Sequence, residues 1–353
     1  MPAAASTGPG GSRVDRAQRG ERRRSDTVRG PTGRDERNDE LSDGTIVAEN
    51  TAAAGAGRAP ADGISEPVPA HPGDVVAAAP SGSRAGRNLP AALAVGLGLG
   101  ASLIAILLFV PEVFIGVVSV AVAVATWEVG KRLREADVLV PRIPLILGGQ
   151  AMIWLGWPFG AGGVAGAFAA TVLVCMVWRL FDHGLRTAPR NFLRDTGIAV
   201  FALAWIPFLA SFAILLLLAP SGNLRVLTFM ILVVCSDVGG YVAGVLFGKH
   251  PMVPAISPKK SWEGLCGSLV FAVIGGLLTV TLLLDANSMI GVLLGVGLVL
   301  VATCGDLIES QIKRDLGIKD MGTLLPGHGG IMDRLDSMLP SAFVSWLVLS
   351  TLL

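Results

Sequence analysis

From about residue 89 to the end, apolar residues come in long blocks rather than at amphipathic or alternating spacing. Such blocks signal membrane crossings, because about 20 helical residues, each rising about 1.5 Å, span the hydrocarbon core. Nine blocks are present, at 89–109, 111–129, 143–157, 160–180, 196–219, 224–248, 264–284, 288–305 and 337–353. Pro111 and Glu112 mark a tight turn between the first two, and Gly148 and Gly149 interrupt the short third. The expected fold is all-α: a polytopic membrane protein of about nine transmembrane helices. Residues 88–195 form its first helical set, and 196–353 carry the polar segments that interrupt the pattern.

The connecting segments test this layout. Alternate loops on the side of the N-terminus contain Lys131, Arg132, Arg134, Arg142, Arg179, Arg186, Arg190, Arg194, Lys249, Lys259, Lys260, Lys313, Arg314, Lys319 and Arg334. The opposite side holds Arg225 alone. The positive-inside bias puts the basic side in the cytosol and the C-terminus outside, in a multi-pass protein of the cell (inner) membrane.

Composition changes the picture at one end. Residues 1–87 hold 12 of the 28 basic and 12 of the 27 acidic residues, with no aromatic and one leucine, Leu41. Such a segment cannot bury enough apolar surface to offset the entropy of ordering it, so a disordered cytosolic extension is expected. No basic start with a short apolar core precedes it, so no cleaved signal peptide is expected. A net charge of +1 gives no case for nucleic-acid binding. Cys175, Cys235, Cys266 and Cys304 lie in apolar stretches without ligand spacing, which predicts neither disulfides nor zinc.

Polar residues inside apolar blocks are the next signal. A carboxylate such as Asp237, deep in the sixth block, costs about 2.5–3.5 kcal/mol on insertion scales. Tyr241, the chain's single tyrosine, lies one turn later on the same face and suggests a cavity. Gly240, Gly244 and Gly248 make a ridge for close helix packing. The bland alternative is that Asp237 hydrogen-bonds a neighbouring helix. The following run, Ser257-Pro258-Lys259-Lys260-Ser261-Trp262-Glu263-Gly264, offers cationic and hydroxyl donors to phosphate oxygens. Ser261 as an N-cap and the lysines as topology signals remain open as plainer readings.

The segment after the eighth block is more informative. Asp306, Glu309, Ser310 and Lys313 fall at i, i+3, i+4 and i+7, on one face of a continuing helix. Lys319-Asp320 and the glycine-rich Pro326–Gly330 follow, then Asp333 and Asp336 open the ninth block beside Arg334. Acids at two helix ends flanked by Lys and Arg suit a divalent cation meeting phosphates, since magnesium prefers a few carboxylates plus substrate oxygens. A salt-bridged juxtamembrane surface would explain the charge balance but not the glycine-rich loop.

Residues 310–336, SQIKRDLGIKDMGTLLPGHGGIMDRLD, resemble the signature of the phosphatidate cytidylyltransferases, or CDP-diacylglycerol synthases. The match runs Ser-x-apolar-Lys-Arg, Lys-Asp, then His-Gly-Gly-apolar-x-Asp-Arg-apolar-Asp, and the Asp237–Tyr241 and Ser257–Gly264 runs resemble further segments of that family. The likeness covers roughly 90–353. It implies CTP + phosphatidate → CDP-diacylglycerol + diphosphate, with Mg2+ and room for a second, monovalent cation. It also implies a nine-helix core, a cavity open to the cytosol and a homodimer. Carried over, Asp306, Asp333 and Asp336 are the expected metal ligands and, with Lys313, the catalytic set. Asp237, Tyr241, Ser257, Lys259, Lys260, Ser310, Arg314, Lys319, His328 and Arg334 are the expected substrate contacts. The attacking phosphate is ionised at neutral pH, so no general base is required, and His328 is assigned to structure or nucleotide contact. A CTP-dependent lipid-alcohol kinase and a transporter with intramembrane carboxylates are the alternatives. The motif of a CDP-alcohol phosphatidyltransferase is absent, and no inverted repeat supports a transporter.

Overall fold

A computed structural model describes residues 89–353 except 183, 185 and 323–328, without the side chains of 89–97 and 99. The 1–87 extension and His328 therefore lie outside the described residues. Ten helices follow in order: α1 (Leu89–Phe109), α2 (Pro111–Glu135), α3 (Arg142–Phe181), α4 (Phe192–Leu203), α5 (Leu209–Leu217), α6 (Gly222–Phe247), α7 (Trp262–Leu283), α8 (Ser288–Asp315), α9 (Met332–Leu335) and α10 (Met338–Leu352). A single π-helical segment, Ala204–Phe208, joins α4 to α5 and accommodates Pro207, which has no N–H to give an α-helical ladder. Pro111 opens α2, where a missing N–H goes unnoticed.

Among the described residues, seven helices are long and apolar enough to cross a membrane, where the sequence leads to nine. The chain is thus a multi-pass helical membrane protein. The difference has two sources. The described apolar part of α1, Gly100–Phe109, is short. The third and fourth blocks lie in one helical run, α3, with a non-helical break at Gly160 (φ 58°, ψ −145°). That break reverses the chain: Gly148 lies against Thr171, and a Cβ at Gly156 would lie 3.0 Å from Val164. On a straight helix residues 148 and 171 would stand about 34 Å apart. Positive φ at Gly160 is what only glycine takes without strain.

The core sits around α5, whose residues Ala210 to Leu216 are all buried, as expected of a helix apolar on every side. Phe212 is central, its ring 4.9 Å from Phe343 and 5.0 Å from Trp346 of α10. Helices α6, α7 and α8 form a second packed set, drawn close by small residues. Gly239 and Gly240 of α6 meet Gly267 and Ser268 of α7; Gly276 of α7 meets the backbone of Gly291 in α8.

One element departs from the all-α expectation. Pro251–Val253 (β1) and Ser257–Ser261 (β2) pair as a small antiparallel hairpin between α6 and α7. Ser261 then caps α7, its hydroxyl accepting the Gly264 N–H at 3.1 Å.

Candidate functional site

Helix α8 is about 42 Å long, beyond the roughly 30 Å of a hydrocarbon core, and its last turns carry the acidic face. Beside them lies a cavity of about 220 Å3 between α6, the hairpin, α7 and α8. Asp237 and Tyr241 line it from α6, Lys259 and Lys260 from β2, and Asp306 from α8. Asp237 faces that cavity and has no hydrogen-bond partner among the described residues, so no neighbouring helix ties it down. Glycines at 240, 244 and 264 floor the cavity, so their value is the space they leave as well as the packing they allow. Lys260 pairs with Asp306 and thereby links the hairpin to α8. Arg314 donates to the Ile256 carbonyl and ties down the hairpin's turn.

Asp306 also belongs to a second group. One carboxylate oxygen each from Asp306, Glu309 and Asp336 lies within 4.8 Å of the others. Glu309 is 1% exposed; one of its oxygens meets Lys313, and Oε1 has no hydrogen-bond partner among the described residues. Three acids this close repel one another, and their all-oxygen donor set suits Mg2+, so these residues fit the cation that the signature implies.

Membership of that trio differs from the expected set. Asp333 lies apart from it, in an ion pair with Lys313 (2.7 Å). It also accepts the Gly330 N–H at 2.7 Å and the Met321 N–H at 3.1 Å. Met321 and Gly330 thus meet at Asp333, while Glu309 stands among the clustered acids. The physical reason is helical phase: Glu309 lies on the face of α8 that meets Asp336, whereas Asp333 is turned back toward its own loop.

The remaining expected residues scatter. Ser257 starts β2 and Ser310 is half-buried on α8, and neither lines the cavity. Arg314, Lys319 and Arg334 are exposed. Glu128 was not singled out from the sequence, yet it is 1% exposed and its Oε2 accepts the Met332 N–H at 3.0 Å. Its signal was available: like Asp237, it is an acid set among apolar residues of a block.

Fold and site define a class: a multi-pass helical membrane protein with Lys259, Lys260, Asp237 and Asp306 lining one cavity beside a cluster of acids. Within that class, the chain belongs to the cytidylyltransferase family, whose model matches residues 91–352, and is accordingly a nucleotidyltransferase. It is 55% identical over 278 residues to a phosphatidate cytidylyltransferase of Mycobacterium bovis, covering 76% of this chain and 91% of that protein. It is 54% identical over 280 residues to the Mycobacterium leprae phosphatidate cytidylyltransferase, covering 76% and 90%. A more distant relative, from Staphylococcus haemolyticus, is 31% identical over 246 residues, covering 67% and 92%.

Proposed function

We propose that this chain is a phosphatidate cytidylyltransferase of the cell membrane, converting CTP and phosphatidate to CDP-diacylglycerol and diphosphate. The observation that carries the reading is the meeting of Lys259, Lys260 and Asp306 at one cavity that continues into the Asp306–Glu309–Asp336 cluster. The matching family and the names of the relatives agree with it.

In this reading an oxygen of the phosphatidate phosphate attacks the α-phosphorus of CTP. A new P–O–P bond forms, the bond to the β-phosphate breaks, and diphosphate leaves with those electrons. Such transfers depend on positioning and charge stabilisation more than on covalent chemistry. Lys259 and Lys260 offset phosphate charge at the cavity mouth, and Tyr241 and Asp237 orient the substrates along its α6 wall. Asp306, Glu309 and Asp336 would hold Mg2+, with Lys313 balancing Glu309 and Asp333. Bound there, the ion would neutralise triphosphate charge and favour departure of diphosphate. No protein base is needed for an attacking group that is already ionised.

Nine crossings, a cytosolic N-terminus and a cavity open to the cytosol belong to the same proposal. They deliver CTP from the cytosol and the lipid phosphate from the interface to one place. The test is purified full-length protein in detergent with labelled CTP, phosphatidate and Mg2+. Lipid-dependent release of diphosphate with a CDP-lipid is expected. With diacylglycerol supplied in place of phosphatidate, CDP release and a phosphorylated lipid instead would transfer the assignment to the lipid kinases.

A further inference from the structure

Glu128 lies in α2, 204 residues before Met332, and no basic side chain forms an ion pair with it among the described residues. A buried, unpaired carboxylate is expensive, so its position calls for an account beyond packing. Two backbone segments converge on it. Oε2 accepts the Met332 N–H at 3.0 Å. A Cβ on Gly330 would fall 2.5 Å from Oε2, and one on Gly322 would collide with Oε1. From the other side Asp333 takes the N–H groups of Met321 and Gly330. One turn along α2, Arg132 Nε donates to the Met321 carbonyl at 2.9 Å. Both feet of the 322–330 loop are therefore gripped between a carboxylate of α2 and Asp333, and the chain leaving that grip delivers Asp336 to Glu309 and Asp306.

We propose that Glu128 is a positioning residue: it fixes the backbone at Gly322 and at Gly330–Met332 and so sets where Asp333 and Asp336 stand relative to α8. The proposal rests on the cytidylyltransferase reading for its activity arm only. It acts through Met332 and the two glycines and touches neither substrate.

The experiment uses the full-length protein in detergent. Glu128→Ala is expected to lower kcat about 100-fold, the scale of a displacement near 1 Å at the reacting groups, with a much smaller change in KM for CTP. Glu128→Gln keeps an oxygen for the Met332 N–H and should recover most of kcat. A second arm needs no turnover: binding of Mn2+ alone, followed by electron paramagnetic resonance, should weaken about tenfold in Glu128→Ala, as when a supporting residue of a metal site is lost. The third arm is a cycle. Gly322→Ala forces a Cβ against the carboxylate and should impair Mn2+ binding in the native background, yet do little once Glu128 is alanine. If Glu128→Ala does not fold, Glu128→Asp, which withdraws the charge by one methylene, replaces it with the same expectations. Native Mn2+ affinity in the alanine or aspartate variant, or equal losses from Gly322→Ala in both backgrounds, would overturn the proposal. A wild type that binds Mn2+ but makes no CDP-lipid would remove the cytidylyltransferase reading and leave the Mn2+ arms to decide the positioning.

Discussion

Lys313 of α8 reaches Asp333 of α9 across the loop between them, Nζ to Oδ1 2.7 Å. The same ammonium meets Glu309, one turn back on its own helix. One cation thus serves two acids whose side chains are only 7% and 1% exposed. Replacing Lys313 by methionine keeps the apolar stem and leaves both acids without their counter-charge. Breaking a buried pair from one side costs about 3–5 kcal/mol, because the remaining charge stays buried. Lys313→Met should therefore melt well below the wild type in detergent and lose turnover. An unchanged melting temperature would mean that neither acid depends on this lysine.

The division of labour between Asp333 and the three clustered acids predicts two different phenotypes. Glu309→Gln and Asp336→Asn remove a charge from the group within 4.8 Å of one another. Each should raise the Mg2+ concentration for half-maximal turnover by about tenfold or more, since even supporting residues of metal sites are worth that much. Asp333→Asn should instead show its main effect on thermal stability, through the loop N–H groups and Lys313 it holds. Magnesium titrations of all three variants decide it. If Asp333→Asn shifts the titration as far as Glu309→Gln does, the two acids have been assigned the wrong roles.

Lys260 bridges the hairpin and α8 through Asp306 at the cavity. Its exchange for glutamine removes one charge-assisted contact to phosphate, worth about 1.5–3 kcal/mol, or roughly ten- to a hundredfold in affinity. KM for CTP should rise by that factor while the protein folds normally. Because Lys260 is partly exposed, stability should change little. An unaltered KM would remove Lys260 from the nucleotide's surroundings.

Much of this arrangement was legible in the residues because it follows short-range rules. Block length identified the helices, and spacing alone put Asp306, Glu309 and Lys313 on one face of α8. The hairpin at 251–261 was not legible, since Ser-Pro-Lys-Lys-Ser has neither β-branched residues nor alternation, and pairing with Pro251–Val253 supplies its order. The choice between Glu309 and Asp333 turned on which way each helix faces the other, a property of packing between α8 and α9. The grip of Glu128 on Met332 spans 204 residues and leaves no local trace beyond an acid where lipid would be expected.

Two of the helices that line the cavity, α7 and α8, also pack closely on each other. A Cβ on Gly276 would run into the Gly291 carbonyl, with no flexible side chain to move aside. Gly276→Ala should force the helices apart at a cost of about 1–3 kcal/mol, the usual range for overpacking. Thermal unfolding in detergent measures it. Gly162→Ala, where a Cβ meets nothing within 4 Å, is the control that should leave stability unchanged.

The bend at Gly160 makes the last prediction a topological one. As a single straight helix, the 40 residues of α3 would reach about 60 Å, twice the hydrocarbon thickness. Folded back at Gly160, residues 142–159 rise about 27 Å, enough to cross once and return. Two crossings would place Gly162 on the face opposite Ala136. Both positions are exposed, and a Cβ at Gly162 meets nothing within 4 Å, so a cysteine fits there. In a background with the four native cysteines replaced, a membrane-impermeant maleimide applied to intact cells should label Gly162→Cys and spare Ala136→Cys until the membrane is opened. Labelling both from outside, or neither, would mean that α3 does not cross twice. The C-terminus would then change sides, and the basic loops would no longer share one face. With them would go the common cytosolic setting of Lys260, Asp306 and the acids beneath them.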